Sequence, residues 1–291
     1  MLHQMVSTAY HFLVSLAHIY SVPEYLGFVA MFTVVIIVSA RQGRNAGRFF
    51  RRPFLTDLAY GVWVPVYTVL IGIPLSLFLA GFIADHFPFL RLHLLAGAPP
   101  VVLTVGWLII NDFVLYWQHR SLHQVPWLWA LHKVHHSQTE LNSLTVWRHH
   151  WLELVYASGT ALVTSLLLGN PTQLPPMVLA VLAASQLAGH SDLDWTYGPI
   201  GRIVISPRFH ARHHSTASED MNVNFGATLV IWDDFFGTAR RLADPVPAYG
   251  LSPAEDDVPR SFFLQLLYPL SLLVKPRTPL TAQTPKLINP E

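Results

Sequence analysis

The sequence contains no cysteine and few charged side chains. The absence of cysteine excludes disulfide bonds, thiolate zinc sites, iron–sulfur clusters and cysteine nucleophiles. Only 12% of the 291 residues are charged, whereas about a quarter are charged in an ordinary soluble domain. The net charge of +1 gives no sign of a nucleic-acid partner, and none is expected. Because 52% of the residues are hydrophobic, the composition predicts a protein that lies in a lipid bilayer.

Long apolar runs are present instead. A helix needs about twenty mostly apolar residues to cross a bilayer. We predict membrane-crossing helices at about residues 22–40, 55–84, 94–117 and 151–168, with a shorter run at 177–188. The last two runs are predicted to form a helical hairpin, so the fold class is an all-α, multi-pass membrane bundle of about four spans or span-hairpins. An interfacial helix without signal-peptide features is predicted at 1–20, and a second interfacial segment at 262–274.

The basic residues lie almost entirely on one side of the predicted membrane spans. Seventeen of the eighteen Lys and Arg side chains fall on one side of the predicted spans, and only Arg91 falls on the other. Since Lys and Arg accumulate in cytoplasmic loops, that side is predicted to be cytoplasmic. The excess of Arg over Lys favours a bacterial plasma membrane. We predict one membrane-embedded domain over 1–291, with N-terminal spans to about 106, a histidine-rich core over about 107–240 and a tail over 241–291.

Histidine is the residue in excess. Eleven of the sixteen histidines lie between His119 and His214, and most of them follow the patterns HxxxH, HxxHH and HxxHH. Residues three and four apart share one face of a helix, so each pattern can direct two or three imidazoles at one point. With one further histidine, the total exceeds what a single ion needs, so we expect a cytosolic cap with two metals. The candidate ligands are His119, His123, His132, His135, His136, His190, His210, His213 and His214.

The remaining polar residues are given other roles. We expect His3, His11, His18, His86 and His93 to face solvent or the membrane interface. Asp112 lies two helical turns before His119, so we predict that its carboxylate accepts a ligand imidazole N–H or pairs with Arg120 or Arg148. Asp233 and Asp234 are expected to organise the cap by hydrogen bonds. Imidazole suits zinc, copper, iron and nickel, so ligand type leaves the metal open, while the absence of HExxH disfavours zinc proteolysis.

These motifs together resemble the fatty acid hydroxylase/sterol desaturase superfamily of membrane di-iron oxygenases. The resemblance extends beyond histidine to the segments 112–120, 135–148, 189–191, 207–215, 224–226 and 231–238, in a pattern that runs from about residue 107 to 240 and covers nearly half the chain. It implies that the nine histidines above ligate two iron ions, with dioxygen as co-substrate. Zinc can replace iron in such sites when a protein is purified.

Two departures from the family pattern affect the site. Trp151 stands where the family's R-x-H-P-x-E stretch has proline, which leaves His150 a candidate position beside a ligand or the substrate, with His149 less favoured. Asp194 stands where some relatives have another histidine. It is a candidate carboxylate ligand or a hydrogen-bond partner of a ligand, or it leaves that position empty, so the second metal's coordination stays open.

The resemblance implies hydroxylation of an unactivated C–H bond in a fatty acyl, sterol-like or ether lipid. Desaturation and ether cleavage remain alternatives within the superfamily, and a non-redox divalent-metal-binding or transport protein is the alternative from another class. A site just below the headgroups is reached most easily by a membrane lipid, and residues 124–131 are a candidate entrance. No flavin or nicotinamide fingerprint is present, so we expect an external electron donor, ferredoxin-like or cytochrome b5-like, on a basic face that includes Arg202, Arg208, Arg240 and Arg241.

Overall fold

The structure is a computed structural model that describes residues 22–43, 52–168, 176–242, 244 and 246–274. All of the regular structure in these ranges is helical, apart from two isolated β-bridges that join Val204 to Leu229 and Ser215 to Tyr249. The all-α prediction is therefore confirmed. The interfacial helix expected at 1–20 and the hairpin turn expected after residue 168 lie outside the described residues.

The described part of the chain contains ten α-helices. In order they are α1 Val22–Gln42, α2 Arg52–Tyr67, α3 Ile73–His86, α4 Pro100–Gln124, α5 Pro126–His136, α6 Trp151–Leu168, α7 Pro176–Gly189, α8 Pro207–His213, α9 Ile231–Phe235 and α10 Phe262–Val274. Three helical stretches are long and apolar enough to cross a membrane, namely 53–86, 100–124 and 151–168. Most of their side chains are not buried within the protein, which is the arrangement expected of helices that face lipid.

The longest stretch is continuous through two prolines. A five-residue π-helical turn, Thr68–Gly72, joins α2 to α3, with Pro65 before it and Pro74 after it. Proline removes a helical hydrogen-bond donor, and its ring crowds the preceding turn. A wider π turn is one way for a helix to accommodate the lost hydrogen bond and the ring.

The third predicted span begins later than the sequence suggested. The helix starts at Pro100 rather than at Leu94, because a residue that precedes proline avoids helical backbone angles while proline itself suits the first helical position. The intervening loop is held in place instead, since the amides of Leu92 and Leu94 donate to the carbonyls of Leu166 and Leu167 at the end of α6.

Helix α5 is fixed by apolar packing on two sides. One core cluster joins its Val134 to Tyr60 of α2 and Tyr268 of α10. A second cluster joins its Leu128 and Leu131 to the end of α4. Buried apolar side chains of this kind contribute roughly 1.5–3 kcal/mol each, so three of the motif histidines lie on a firmly placed helix.

A buried carboxylate on α2 holds the segment after α5. Asp57 is fully buried and accepts hydrogen bonds from Arg148 Nε at 2.6 Å, Asn142 Nδ2 at 2.7 Å and Gln138 Nε2 at 2.5 Å. Arg148 therefore pairs with Asp57, and the pairing predicted with Asp112 is wrong. The network fixes residues 138–148 against the first long span.

Candidate metal centre

The three histidine motifs lie at helix ends that meet in one place. HxxxH occupies the last two turns of α4, the first HxxHH ends α5, and the second runs along α8 to its C-terminus. His190 follows α7 directly. The helical placement of the motifs, on which their shared faces depended, is confirmed.

Five imidazoles form what we call the first histidine group. Its possible ligand atoms all lie within 4.8 Å of one another, and its members are His119, His123, His132, His136 and His213. The Nε2 atoms of the last four are buried and have no hydrogen-bond partner in the described structure. A buried polar nitrogen without a partner is costly, and four together are what a metal ion would satisfy.

The other nitrogen of several of these rings is held by an acceptor. His119 Nδ1 donates to the carbonyl of Phe225 at 2.8 Å, and His213 Nδ1 donates to the carbonyl of Val223 at 2.8 Å. His132 Nδ1 donates to Glu153 at 2.8 Å. A proton fixed on Nδ1 leaves the Nε2 lone pair available, which is the tautomer that ligation through Nε2 requires.

Four imidazoles form the second histidine group, and all of them are buried. His190 Nε2 lies 3.2 Å from His135 Nε2 and 3.0 Å from His210 Nε2, and His214 Nε2 lies 3.3 Å from His210 Nε2. Four ring nitrogens thus converge on a point. Gly189 makes room for them, since a Cβ there would stand 3.3 Å from the His210 ring.

The protonation of both groups suits metal ligation. Burial lowers the pKa of His190 to about 4 and the pKa of His213 to about 3. These rings are therefore neutral at pH 7, as ligands must be. Two all-nitrogen donor sets, of five and four imidazoles, fit two ions of iron, zinc, copper or nickel and do not fit magnesium or calcium.

Glu153 connects the two groups and was not singled out from the sequence. Its Oε1 accepts from His132 and from His149, both at 2.8 Å. The His149 ring stacks on His135 of the second group at 4.9 Å and 5°. Burial lowers the pKa of His149, but the Glu153 carboxylate outweighs burial and the net shift is upward. The sequence could have indicated this contact, because Glu153 follows His149 by four residues and side chains four apart share one face of a helix.

His150 points away from both groups. Its Nε2 donates to the carbonyl of Leu266 in α10 at 2.9 Å, and its Nδ1 accepts from the amide of Leu152. Both ring nitrogens are therefore engaged by the backbone. The geometry favours His149 over His150 as the histidine beside the ligands, which reverses the preference drawn from the sequence.

The two aspartates proposed from the sequence lie elsewhere. Asp112 is buried and accepts from the amides of Thr228 and Leu229 and from Trp232 Nε1, at 2.8, 3.1 and 3.0 Å. Its predicted pairing with an imidazole or an arginine is wrong, because its side of α4 faces the segment before α9. Asp194 is exposed, lies outside both histidine groups, and forms a two-point ion pair with Arg208 at 2.6 and 2.7 Å.

Asp233 has the organising role expected of it. Its carboxylate accepts from the amides of Phe225 and Gly226, each at 2.8 Å. A Cβ on Gly226 would lie 2.6 Å from the Leu229 carbonyl, so the turn requires glycine. Because the Phe225 carbonyl accepts from His119, Asp233 places a possible ligand through this turn.

A small pocket of about 30 Å³ reaches the first group. Its wall includes His123, His136 and His213, together with Trp129 from the predicted entrance segment. Trp129 Nε1 donates across it to Glu255 at 3.0 Å. Trp127, from the same segment, points outward and is 65% exposed.

Comparisons with known proteins agree with this geometry. The family model for fatty acid hydroxylase matches residues 104–238. Ornithine lipid hydroxylase OlsE of Rhizobium tropici is 33% identical over 164 residues, which are 56% of this chain and 49% of that protein. Human alkylglycerol monooxygenase is 33% identical over 48% of this chain and 31% of its own length, and a putative methylsterol monooxygenase of Dictyostelium discoideum is 29% identical over 50% and 54%.

The chain thus spans about half or less of these relatives' lengths. No solved structure matches it. The matched residues include all nine candidate ligands. Residues 104–238 therefore form a fatty acid hydroxylase domain, and the similarity to these relatives supports the fatty acid hydroxylase/sterol desaturase superfamily.

Proposed function

We propose that the chain is a membrane-bound, di-iron lipid hydroxylase that uses dioxygen and external electrons. The observation that carries the proposal is the pair of buried imidazole groups at the end of an apolar 25-residue helix. The names of the relatives support a lipid as substrate, since they are hydroxylases or monooxygenases of ornithine lipid, alkylglycerol and methylsterol.

The nine histidines would hold the two ions, five around one and four around the other. Bound iron supplies the reduction of dioxygen and the oxidation of an unactivated C–H bond. The protein's own contribution is orientation: the carbonyls of Phe225, Val223 and Gln186 and the Glu153 carboxylate fix the ring nitrogens opposite the ligand atoms. Such partners typically change metal affinity by about 10- to 100-fold.

The pocket on the first group supports access of substrate there. A volume of about 30 Å³ admits little more than a water molecule, so a lipid chain can enter only if a wall moves. Trp129 forms part of this wall, and its Nε1 makes one hydrogen bond, to Glu255. We infer that displacement of its indole widens the way to His123 and His136.

Placement and partners complete the proposal. The three apolar helices support a membrane protein, and the distribution of Lys and Arg supports a metal centre on the cytoplasmic side. The excess of Arg over Lys supports a bacterial plasma membrane. We propose a single membrane-embedded domain whose core is 107–240. Electrons would come from a ferredoxin-like or cytochrome b5-like protein.

The test is oxygen incorporation by the full chain. Protein expressed in iron-replete cells should hold about two irons per chain, and host lipids should gain one oxygen that carries label from ¹⁸O₂ by mass spectrometry. A His136→Ala variant should lose the product, whereas His86→Ala, at an exposed histidine, should not. Loss of two hydrogens without label would show a desaturase. A fully metallated protein that causes no lipid oxidation when supplied with reductant would support the non-redox alternative.

A further inference from the structure

A second and larger pocket lies apart from the histidine groups and is basic. It measures about 190 Å³ and opens between the segment that follows Asp194 and the segment that follows α9. Five guanidinium groups line it, together with the hydroxyls of Thr196 and Ser206; the arginines are Arg202, Arg208, Arg212, Arg240 and Arg241. Nothing in the proposed oxidation uses this pocket.

The positive charge of the pocket is only partly neutralised. Three aspartates pair with four of the arginines: Asp194 with Arg208, Asp220 with both Arg212 and Arg240, and Asp234 with Arg241. Arg202 is exposed and has no acidic partner among the described residues. Five cations against three anions leave a positive surplus at the opening, where an anion can bind.

Exposed apolar side chains lie close in sequence to the lining residues or to their aspartate partners, and one of them, Leu242, lines the pocket itself. Ile200 and Ile203 are 63% and 61% exposed, and Phe235 is 78% exposed. Trp195 and Leu242 are also exposed, at 45% and 41%. A rim of large apolar side chains around a charged pocket is the pattern of a surface that enters the headgroup region of a bilayer.

Two aromatic residues close to Phe235 in sequence pack on α4, a helix long and apolar enough to cross a membrane. Phe236 packs on Trp117 of α4 at 5.0 Å, and Trp232 packs on Phe113 at 4.9 Å. Phe113 lies eleven residues, or about 16 Å, before Gln124, the C-terminal residue of α4 next to the HxxxH motif. The segment that carries Phe235 therefore lies beside a membrane-crossing helix, below the level of the histidine motifs.

We propose that this pocket binds the phosphate-bearing headgroup of an anionic phospholipid, with the apolar rim inserted among the neighbouring acyl chains. Arginine presents a planar pair of donors that fits two phosphate oxygens, and four of the five guanidinium groups are already oriented by aspartate. An acidic electron-donor protein, expected at these arginines from the sequence, would match the charge; a phospholipid matches both the charge and the exposed Ile200, Ile203 and Phe235, through its headgroup and its acyl chains. The proposal does not depend on the reaction at the metal centre.

The experiment measures lipid binding to the full chain in detergent micelles. Short-chain phosphatidylglycerol and phosphatidylcholine are titrated separately, and binding is followed by native mass spectrometry and by tryptophan fluorescence, since Trp195 lies beside the pocket. We expect a preference for phosphatidylglycerol that falls by about tenfold in Arg202→Gln/Arg241→Gln, given the contribution of each basic residue at an anionic lipid surface. Iron content should not change, because neither arginine belongs to a histidine group.

Arg91→Gln is the matched control, because Arg91 is an exposed arginine at the opposite end of the spans. It should keep the full lipid preference. An unchanged preference in the double variant would overturn the proposal. If millimolar inorganic phosphate competes with phosphatidylglycerol equally well, the pocket binds free phosphate instead. If the double variant is reduced more slowly by an acidic donor protein while its lipid binding is unchanged, the pocket is a protein-docking site. Either result would overturn the lipid headgroup as ligand.

Discussion

The two histidine groups differ in access. The first group includes two half-buried rings, His119 and His123, and a pocket reaches it between Trp129 and Glu255. The second group is buried at all four rings, and its ring nitrogens contact one another at 3.0 to 3.3 Å. Open and closed sites therefore lie side by side in one cap.

The difference suggests a division of work between the two ions. A site that must receive substrate needs a route to it, and the first group has a pocket, whose wall includes Trp129. A site that shares electrons needs only a fixed ligand set, and the closed second group provides that. We infer that the substrate meets the first group. The predictions that follow test this asymmetry.

Removal of one ligand from each group should have the largest effect. His213→Ala and His210→Ala should each reduce iron from about two to about one per chain and lower hydroxylation by about 100-fold or more, since each takes a nitrogen from a converged set. Elemental analysis and product assays of purified protein check this. If both irons are lost in each variant, the two groups act as one site and the comparison fails.

Loss of the Glu153 carboxylate should come next in size. Glu153→Ala removes the acceptor that orients His132, so metal affinity at the first group should fall by about 10- to 100-fold. Glu153→Gln keeps an acceptor oxygen and should restore part of the affinity. Competition titrations with a chromophoric chelator measure this change, because they give one dissociation constant for the more tightly bound ion and one for the more weakly bound ion.

Asp194→Asn is the control for Glu153, because Asp194 lies outside both groups and pairs with Arg208. It should leave both affinities within about twofold. An equal loss at both ions in Glu153→Ala would show that the carboxylate supports the whole cap through His149 and His135, and not the first group alone.

The stability of chelated protein should depend on pH through the second group. Burial lowers the pKa of His190 to about 4, while an unfolded histidine titrates near 6.5. The unfolded chain therefore binds more protons between these values, and stability falls as pH drops from about 6.5 towards 4. For this one residue we expect about 2 kcal/mol, or about 5 °C in Tm, between pH 7 and pH 5.

Thermal unfolding of the chelated wild type and His190→Gln measures that contribution. The variant should show a flatter dependence of Tm on pH, and His86→Gln, at an exposed histidine, should behave as wild type. The same slope in all three proteins would mean that water reaches the second group.

The smallest effect is expected at the wall of the first group. Trp129→Phe removes the hydrogen bond to Glu255 and a little volume, so the pocket should open more easily and KM should fall by about twofold to threefold with kcat nearly unchanged. Trp127→Phe, at an exposed tryptophan outside the pocket, is the control. Steady-state kinetics with a dispersed lipid provide the measurement, and equal KM values in the three proteins would place the substrate route elsewhere.

The parts of the site that follow from helical spacing could be predicted from sequence. HxxxH and HxxHH fix which rings share a face, and the chain folds those stretches as helices. The partners of single polar residues could not be predicted. Asp112 was placed on the correct helix, but periodicity does not specify that the backbone amides of Thr228 and Leu229 would fill its face.

The different orientations of two adjacent residues were equally hard to predict. His149 and His150 differ only in direction, and that direction is set by the Leu266 carbonyl more than a hundred residues later. Asp57 lies 91 residues from Arg148, and no local pattern in the sequence relates the two. The basic face was found from composition, while the apolar rim around it required the fold.

The buried Asp57 has a consequence for biosynthesis. It belongs to the first long stretch able to cross a membrane, so it is synthesised before every candidate ligand histidine. Its donors, at residues 138–148, arrive later, and His213 and His214 arrive last. Because both histidine groups include residues of or directly after α8, both can be complete only once about three quarters of the chain has been synthesised. We therefore expect metal loading to follow insertion of the first long span, and a chain truncated before residue 138 would leave the Asp57 carboxylate without these donors.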